Sequence, residues 1–226
     1  MKEKLLLLHG ALGSKNQFNS IKEKLGKYFD TYFLNFEGHG GEATSKKFSI
    51  ELFTENVIDF LETRSIESIN IFGYSMGGYV ALNTALKIPQ KIKKITTLGT
   101  KFKWDIESSE KEVKMLDPMK IEQKIPHYAE KLRQEHQPQD WKLVMDKTAT
   151  MMIAMGKGAK LTNEDFKEIV QPVIIGIGNL DTMVSYEESE LVSKLLPNSK
   201  LIKLEGVEHP VDKIPSDKLI EFIISN

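Results

Sequence analysis

The sequence predicts an α/β protein, a mostly parallel sheet of about six strands with helices on both faces. Three observations carry that expectation. Short apolar runs alternate with longer stretches of helical period, the rhythm of strand, helix and parallel strand. The segment Gly73-Tyr74-Ser75-Met76-Gly77 falls where an apolar run gives way to a helical pattern, so it reads as a tight strand-to-helix turn. A length of 226 residues is enough to bury one substantial core, and sheets with helical layers often reach this size as one domain.

The strands come from the apolar runs. The first, Lys4 to Leu8, holds four consecutive leucines; a secretory leader needs about 7 to 15 apolar residues, so this run reads as a buried strand. The others are Thr31 to Phe36, Ile69 to Phe72, Ile95 to Leu98, Val173 to Ile177 and Lys200 to Leu204. Between them, helices are expected near Ser14 to Leu25, Ser49 to Thr63, Met76 to Lys87, Thr162 to Val170, Ser185 to Leu195 and Pro215 to Ile224. Strands separated by helices favour parallel pairing, with the helices covering both faces.

Residues 101–160 break the rhythm. They contain no convincing strand, but hold Trp104, Trp141 and six of the nine methionines. Helices are expected around Glu110 to Met115, Ile121 to Gln134 and Trp141 to Met155, with Pro118, Pro126 and Pro138 as boundaries. The expected organisation is therefore a core of residues 1–100 and 161–226 and a helical insertion of residues 101–160. That insertion either packs its Met and Trp side chains onto the core or forms a lid whose underside lines an apolar pocket.

Composition excludes several classes. A formal charge of −1 with Lys and Glu interspersed gives no single-sign field to gather nucleic acid. The absence of cysteine removes disulfides, thiolate metal sites and cysteine nucleophiles, and suits a cytoplasmic location. No stretch approaches the roughly 20 apolar residues that span a bilayer. No metal or cofactor is expected, and the expected partner is a small molecule; nothing in the sequence speaks to oligomeric state.

The glycines around Ser75 have a physical explanation in a sharp turn. A strand that turns abruptly into a helix strains the corner residue and brings the two segments too close for larger neighbours. The turn lifts a hydroxyl above the sheet and places it by the helix N-terminus. A serine hydroxyl needs a base, and the base an orienting group. Of the five histidines, His127 and His136 lie among charged residues of the insertion and read as solvated; His9 and His39 follow the first and second strands. His209 follows the last strand in L-E-G-V-E-H-P-V, and so shares with Ser75 the crevice at the carboxyl ends of the strands. Asp181, in I-I-G-I-G-N-L-D-T-M-V just beyond the preceding strand, completes the order Ser, Asp, His. After the first strand, His9-Gly10-Ala11-Leu12-Gly13-Ser14 offers a backbone N–H from Ala11, with Leu12 its nearest competitor, to join that of Met76 around an oxyanion. A phosphate loop is the rival reading of this segment, but its glycine and lysine spacing is wrong.

Taken together, these segments resemble the alpha/beta hydrolase fold family over nearly the whole chain outside the insertion. H-G-A-L-G-S resembles its oxyanion segment, G-Y-S-M-G-G its nucleophile elbow, G-N-L-D-T-M-V its acid loop and G-V-E-H-P its histidine loop. N-F-E-G-H-G resembles the turn usually written D-x-R-G-x-G-x-S. The resemblance implies that residues 101–160 are a compact cap, and that two extra N-terminal strands of the family are missing. Asn179 and Glu37 depart from the aspartate and arginine common in relatives.

A serine at the elbow argues against the dehalogenases and epoxide hydrolases of the family, which use aspartate there. The parts best suit hydrolysis of a carboxylic ester or thioester through an acyl-serine. The alternatives are a triad-bearing lyase resembling the menaquinone-pathway member, whose anionic substrate would lean on lysine because the only arginines are Arg64 and Arg133, and a slow-turnover ligand receptor. Leu12, Trp141, Met145, Met152, Met155 and Met183 are the expected pocket lining, with Met145 and Met152 on one helical face.

Overall fold

The computed structural model describes residues 2–225. Six strands, β1 (Glu3–Leu8), β2 (Phe29–Leu34), β3 (Ile69–Tyr74), β4 (Ile92–Leu98), β5 (Val173–Gly178) and β6 (Ser199–Leu204), form one sheet in the order β2-β1-β3-β4-β5-β6. Every neighbouring pair is parallel. The chain runs from β1 outward to β2, then returns to place β3 on the other side of β1. The order therefore reverses at β1 and β3, and crevices for ligands form at the carboxyl ends of strands at such a reversal.

Helices cover both faces. On one face, α2 (Ile50–Thr63), α3 (Met76–Lys87), α8 (Asn163–Glu168) and α9 (Tyr186–Leu195) share a core with Leu6, Leu8, Ile71, Ile95 and Ile175. On the other, α1 (Asn19–Leu25) and α10 (Ser216–Ile224) pack on Leu5, Leu7, Phe72 and Leu98. Successive strand residues thus feed opposite cores, which is why the central strands are apolar throughout. The expected strands and core helices stand within a few residues of their predicted bounds. Ser14 to Leu25 opens with a turn of 3-10 helix over Lys15–Phe18 before α1 begins.

Five helices separate β4 from β5; besides α8 of the core layer they are α4 (Ile106–Val113), α5 (Pro118–Lys124), α6 (Pro126–His136) and α7 (Trp141–Gly156). The single helix expected over Ile121 to Gln134 is two. Ile125, directly before Pro126, takes φ −137° and ψ 59°, outside the helical region that a following proline disfavours. α4 also begins earlier than expected, because Asp105 and Ser108 form a reciprocal capping box. A small core of Ile121, Ala129, Leu132, Trp141 and Met145 holds α5, α6 and α7 together. Among the described residues no helix is long and apolar enough to cross a membrane.

Candidate active site

Ser75 sits at the corner between β3 and α3 with φ 50° and ψ −117°, a left-handed conformation that costs a non-glycine residue on the order of 1–3 kcal/mol. Neighbouring backbone holds it there. Its N–H donates to Leu98 O at 2.8 Å, and its carbonyl accepts from Gly78 N and from Thr100 Oγ1, both at 3.0 Å. Gly77 and Gly73 make the corner possible: a Cβ on Gly77 would lie 2.2 Å from Leu8 O, and one on Gly73 2.4 Å from the Gly78 Cα. Ser75 stands at the N-cap of α3, yet its side chain makes no capping bond, so a capping role does not account for the hydroxyl.

His209 and Asp181 meet across the ends of β6 and β5. The His209 Nδ1–H donates to Asp181 Oδ2 at 2.8 Å, with side-chain exposures of 11% and 2%. This bond fixes Nε2 as the ring's open nitrogen. Asp181 Oδ1 accepts from the N–H groups of Met183 at 2.8 Å and Val184 at 2.9 Å, while Ser185 caps α9. Burial raises the Asp181 carboxyl pKa, but the His209 bond and charge, with the two amides, outweigh it and leave it below the ordinary value. The Tyr74 hydroxyl donates to His209 O at 2.8 Å and tethers the histidine loop to β3.

Ser75 and His209 line one cleft, together with Ala11, Met76, Tyr79, Lys101, Trp104 and Glu112. The Ser75 hydroxyl makes no hydrogen bond among the described residues, to His209 or to any other group. Such contacts often tighten only once substrate is bound. The backbone N–H groups of Ala11 and Met76 have no protein acceptor among the described residues, and both residues reach the cleft.

Of the expected pocket residues, Met152, Met155 and Met183 line this cleft; Leu12, Trp141 and Met145 do not. Trp141 and Met145 are buried in the small core of the inserted helices, and Leu12 packs against it. Met145 and Met152 do share a face of α7, but seven residues along a helix separate them by about 10 Å, enough to give them different neighbours. The lining also includes Ile50, Tyr79, Trp104, Lys101, Glu112, Met151 and Val184. Met151 was within reach from its place in the methionine run; the charged pair carried no signal distinguishing it from solvated neighbours.

The remaining histidines correct another expectation. His127 is exposed, but His136 is fully buried. Its Nε2–H donates to Leu12 O at 3.1 Å and its Nδ1 accepts from Gly40 N at 3.2 Å, so the end of α6 joins the loops after β1 and β2. Its ring lies 5.8 Å from that of His39, which lies 5.2 Å from His9. His9 donates from Nδ1 to Gly10 O and accepts at Nε2 from Phe36 N. His39 stacks on Phe48 and leaves Nε2 without a partner among the described residues. Burial lowers the pKa of all three, that of His9 to about 4.

Comparison with known proteins agrees with the fold. Residues 4–116 match the family model described as the alpha/beta hydrolase fold. Over 101 residues the chain is 32% identical to a protein named as a probable alcohol acetyltransferase from Cyberlindnera fabianii, a match covering 43% of this chain and 27% of that one. The chain spans little more than a quarter of the length of the curated relatives it matches. Among solved structures, 2-hydroxy-6-oxo-6-phenylhexa-2,4-dienoate hydrolase from Rhodococcus sp. strain RHA1 superposes with a TM-score of 0.81 at 17% identity, covering 99% of this chain and 90% of that one. MenH from S. aureus superposes with a TM-score of 0.76 at 23% identity, covering 99% and 92%. At these identities the likeness to solved structures is one of fold.

Proposed function

The chain belongs to the alpha/beta hydrolase fold family, and from that premise we propose that it is a serine hydrolase acting on a carboxylic ester or thioester through an acyl-serine intermediate. The observation that carries the reading is a single cleft lined by a strained, uncapped Ser75, by His209 with Asp181 bonded behind it, and by Ala11 and Met76 with their unpartnered amides. Ser75 Oγ adds to the acyl carbon as His209 Nε2 takes its proton. Asp181 holds the opposite ring nitrogen and stabilises the imidazolium. The Ala11 and Met76 N–H groups face the oxyanion, with the N-terminus of α3 adding its positive dipole end. Collapse expels the alcohol or thiol, which receives the proton from His209, and water repeats the sequence to release the acid and restore Ser75.

In this reading the helices of residues 101–160 act as a cap, and the methionines of α7 accommodate the acyl chain. No arginine lines the cleft and its one lysine, Lys101, is paired with Glu112, which tells against the anionic substrate of a lyase. The name of the curated relative favours one second reading, transfer of the acyl group to an alcohol in place of water. Both readings share the acyl-serine. A fluorophosphonate should therefore label the wild type and leave Ser75→Ala unlabelled; labelling that persists in the variant would place the nucleophile elsewhere. Product analysis of a p-nitrophenyl ester in aqueous ethanol then separates the readings, free acid marking hydrolysis and ethyl ester marking transfer.

A further inference from the structure

Two charged side chains stand in the otherwise apolar wall of the Ser75 cleft. Lys101 follows β4 and Glu112 lies on α4. Their Nζ and Oε1 atoms are 3.2 Å apart, with side-chain exposures of 16% and 6%. Lys101 Nζ also lies 3.4 Å from Met183 O and 5.9 Å from the centre of the Trp104 ring. The wall around them is built from Ile50, Tyr79, Met151, Met152 and Val184. The Glu112 side chain commits one carboxylate oxygen to Lys101 and has no other protein partner among the described residues.

Holding α4 against the end of β4 does not call for this pair. Removing each ion from water costs several kcal/mol, and a hydrophobic pair of similar volume is often as stable or more so. An ion pair that faces a cleft beside a reactive serine has another use, which is to read a polar group on a ligand.

We propose that Lys101 and Glu112 form a subsite for an uncharged hydroxyl on the acyl portion of the substrate, some carbons from the carbonyl that Ser75 attacks. The proposal rests on the esterase reading above. Its logic is one of charge and valence. The pair sums to zero, so a ligand carboxylate would meet Glu112 and a ligand ammonium would meet Lys101, each repelled in a poorly solvated wall. A hydroxyl donates to the carboxylate and accepts from the ammonium at once. A keto oxygen satisfies only Lys101. An unsubstituted chain displaces water from both groups and returns nothing, and sites built on hydrogen bonds reject analogues lacking the bonding group far more strongly than apolar pockets reject a methylene.

The test compares kcat/KM of the full chain for p-nitrophenyl hexanoate, 3-hydroxyhexanoate and 6-hydroxyhexanoate. At least one hydroxylated ester should exceed hexanoate by about tenfold or more. In the Lys101→Met, Glu112→Leu double variant that ratio should fall to about one, because the wall is then uniformly apolar. If the double variant does not fold, Lys101→Met alone, which leaves α4 unaltered, should lower the ratio severalfold. No advantage for either hydroxylated ester, or an advantage that survives the substitutions, overturns the subsite. Hydrolysis of plain hexanoate and Ser75-dependent phosphonate labelling distinguish the failures. If both are missing, the esterase reading falls and takes the subsite with it; if both are present without hydroxyl preference, only the subsite falls.

Discussion

Lowering the pH from 7.5 to 5.0 should remove about 2 kcal/mol of stability through His9 alone. His9 is fully buried between Gly10 O and Phe36 N, and burial brings its pKa from 6.5 to about 4 in the folded chain. The sign follows from proton binding. Above pH 6.5 the ring is neutral in both folded and unfolded chains and contributes no pH dependence. Below it the unfolded chain gains a proton that the folded chain refuses, so stability falls until the folded pKa is reached. The whole gap corresponds to about 3 kcal/mol, of which about 2 kcal/mol is lost by pH 5. His39 and His136, in the same cluster, have lowered pKa values and act in the same direction. The carboxylates of Glu37, Asp181 and Asp212 are held below their ordinary values of 4.5, 3.8 and 3.8, so their stabilisation is still present at pH 5 and leaves only in stronger acid. Urea unfolding at pH 7.5, 6.5, 5.5 and 5.0 measures the loss, which should also appear as a fall in Tm of about 4–8 °C. His9→Gln retains a donor and an acceptor without titrating in this range, and should flatten the curve by the His9 share. A wild-type stability constant to within about 0.5 kcal/mol over this range, or an equal slope in His9→Gln, would refute the reasoning.

Three further outcomes follow from the site. Asp181→Asn should keep the fold but lower kcat by roughly 10⁴, since an amide can hold His209 in the wrong tautomer; near-normal turnover in the folded variant would remove Asp181 from the chemistry. Gly77→Ala should cost at least about 3 kcal/mol, because the new methyl would lie 2.2 Å from the backbone oxygen of Leu8; an unchanged urea midpoint would show that the elbow can relax. Met152→Phe should reduce turnover of long acyl esters more than acetate esters, with selectivity lost at about 0.8 kcal/mol per displaced methylene; equal losses across chain lengths would show that the methionine only anchors α7.

Strands buried on both faces are legible because a continuous apolar run has little else to become, and β1, β3 and β5 lie within a residue or two of their predicted bounds. Ser75, Asp181 and His209 were legible as a constellation because each lies within a few residues of the carboxyl end of a strand, so parallel pairing alone brings them to one end of the sheet. Inside the inserted helices that logic fails. Helix period gives the face a residue occupies but not its height, which is how Trp141 and Met145 came to be expected in the cleft. It also gives no sign of which charges are buried. His136 and Glu112 sit among Glu, Lys and Gln in sequence, and only the packing of α6 and α4 onto the core withdraws them from water. Pro126 did carry a signal, since the residue before a proline resists the helical region, and the break at Ile125 is its consequence.

The strand order divides the site along a seam. Ala11 and Ser75 follow the ends of β1 and β3, which with β2 and β4 form an unbroken four-stranded block built from the first hundred residues; Asp181 and His209 hang from β5 and β6, which the chain adds only after the intervening helices. Gly99, just past the end of β4, closes the join: a Cβ there would lie 3.3 Å from His209 Nδ1 and 3.4 Å from Asp181 Oδ2. During synthesis the serine and its amides therefore emerge well before the groups proposed to activate it. On that proposal, a chain in which β5 and β6 have not docked on β4 carries an unactivated hydroxyl, and reactivity toward a phosphonate would report the last pairing in the sheet.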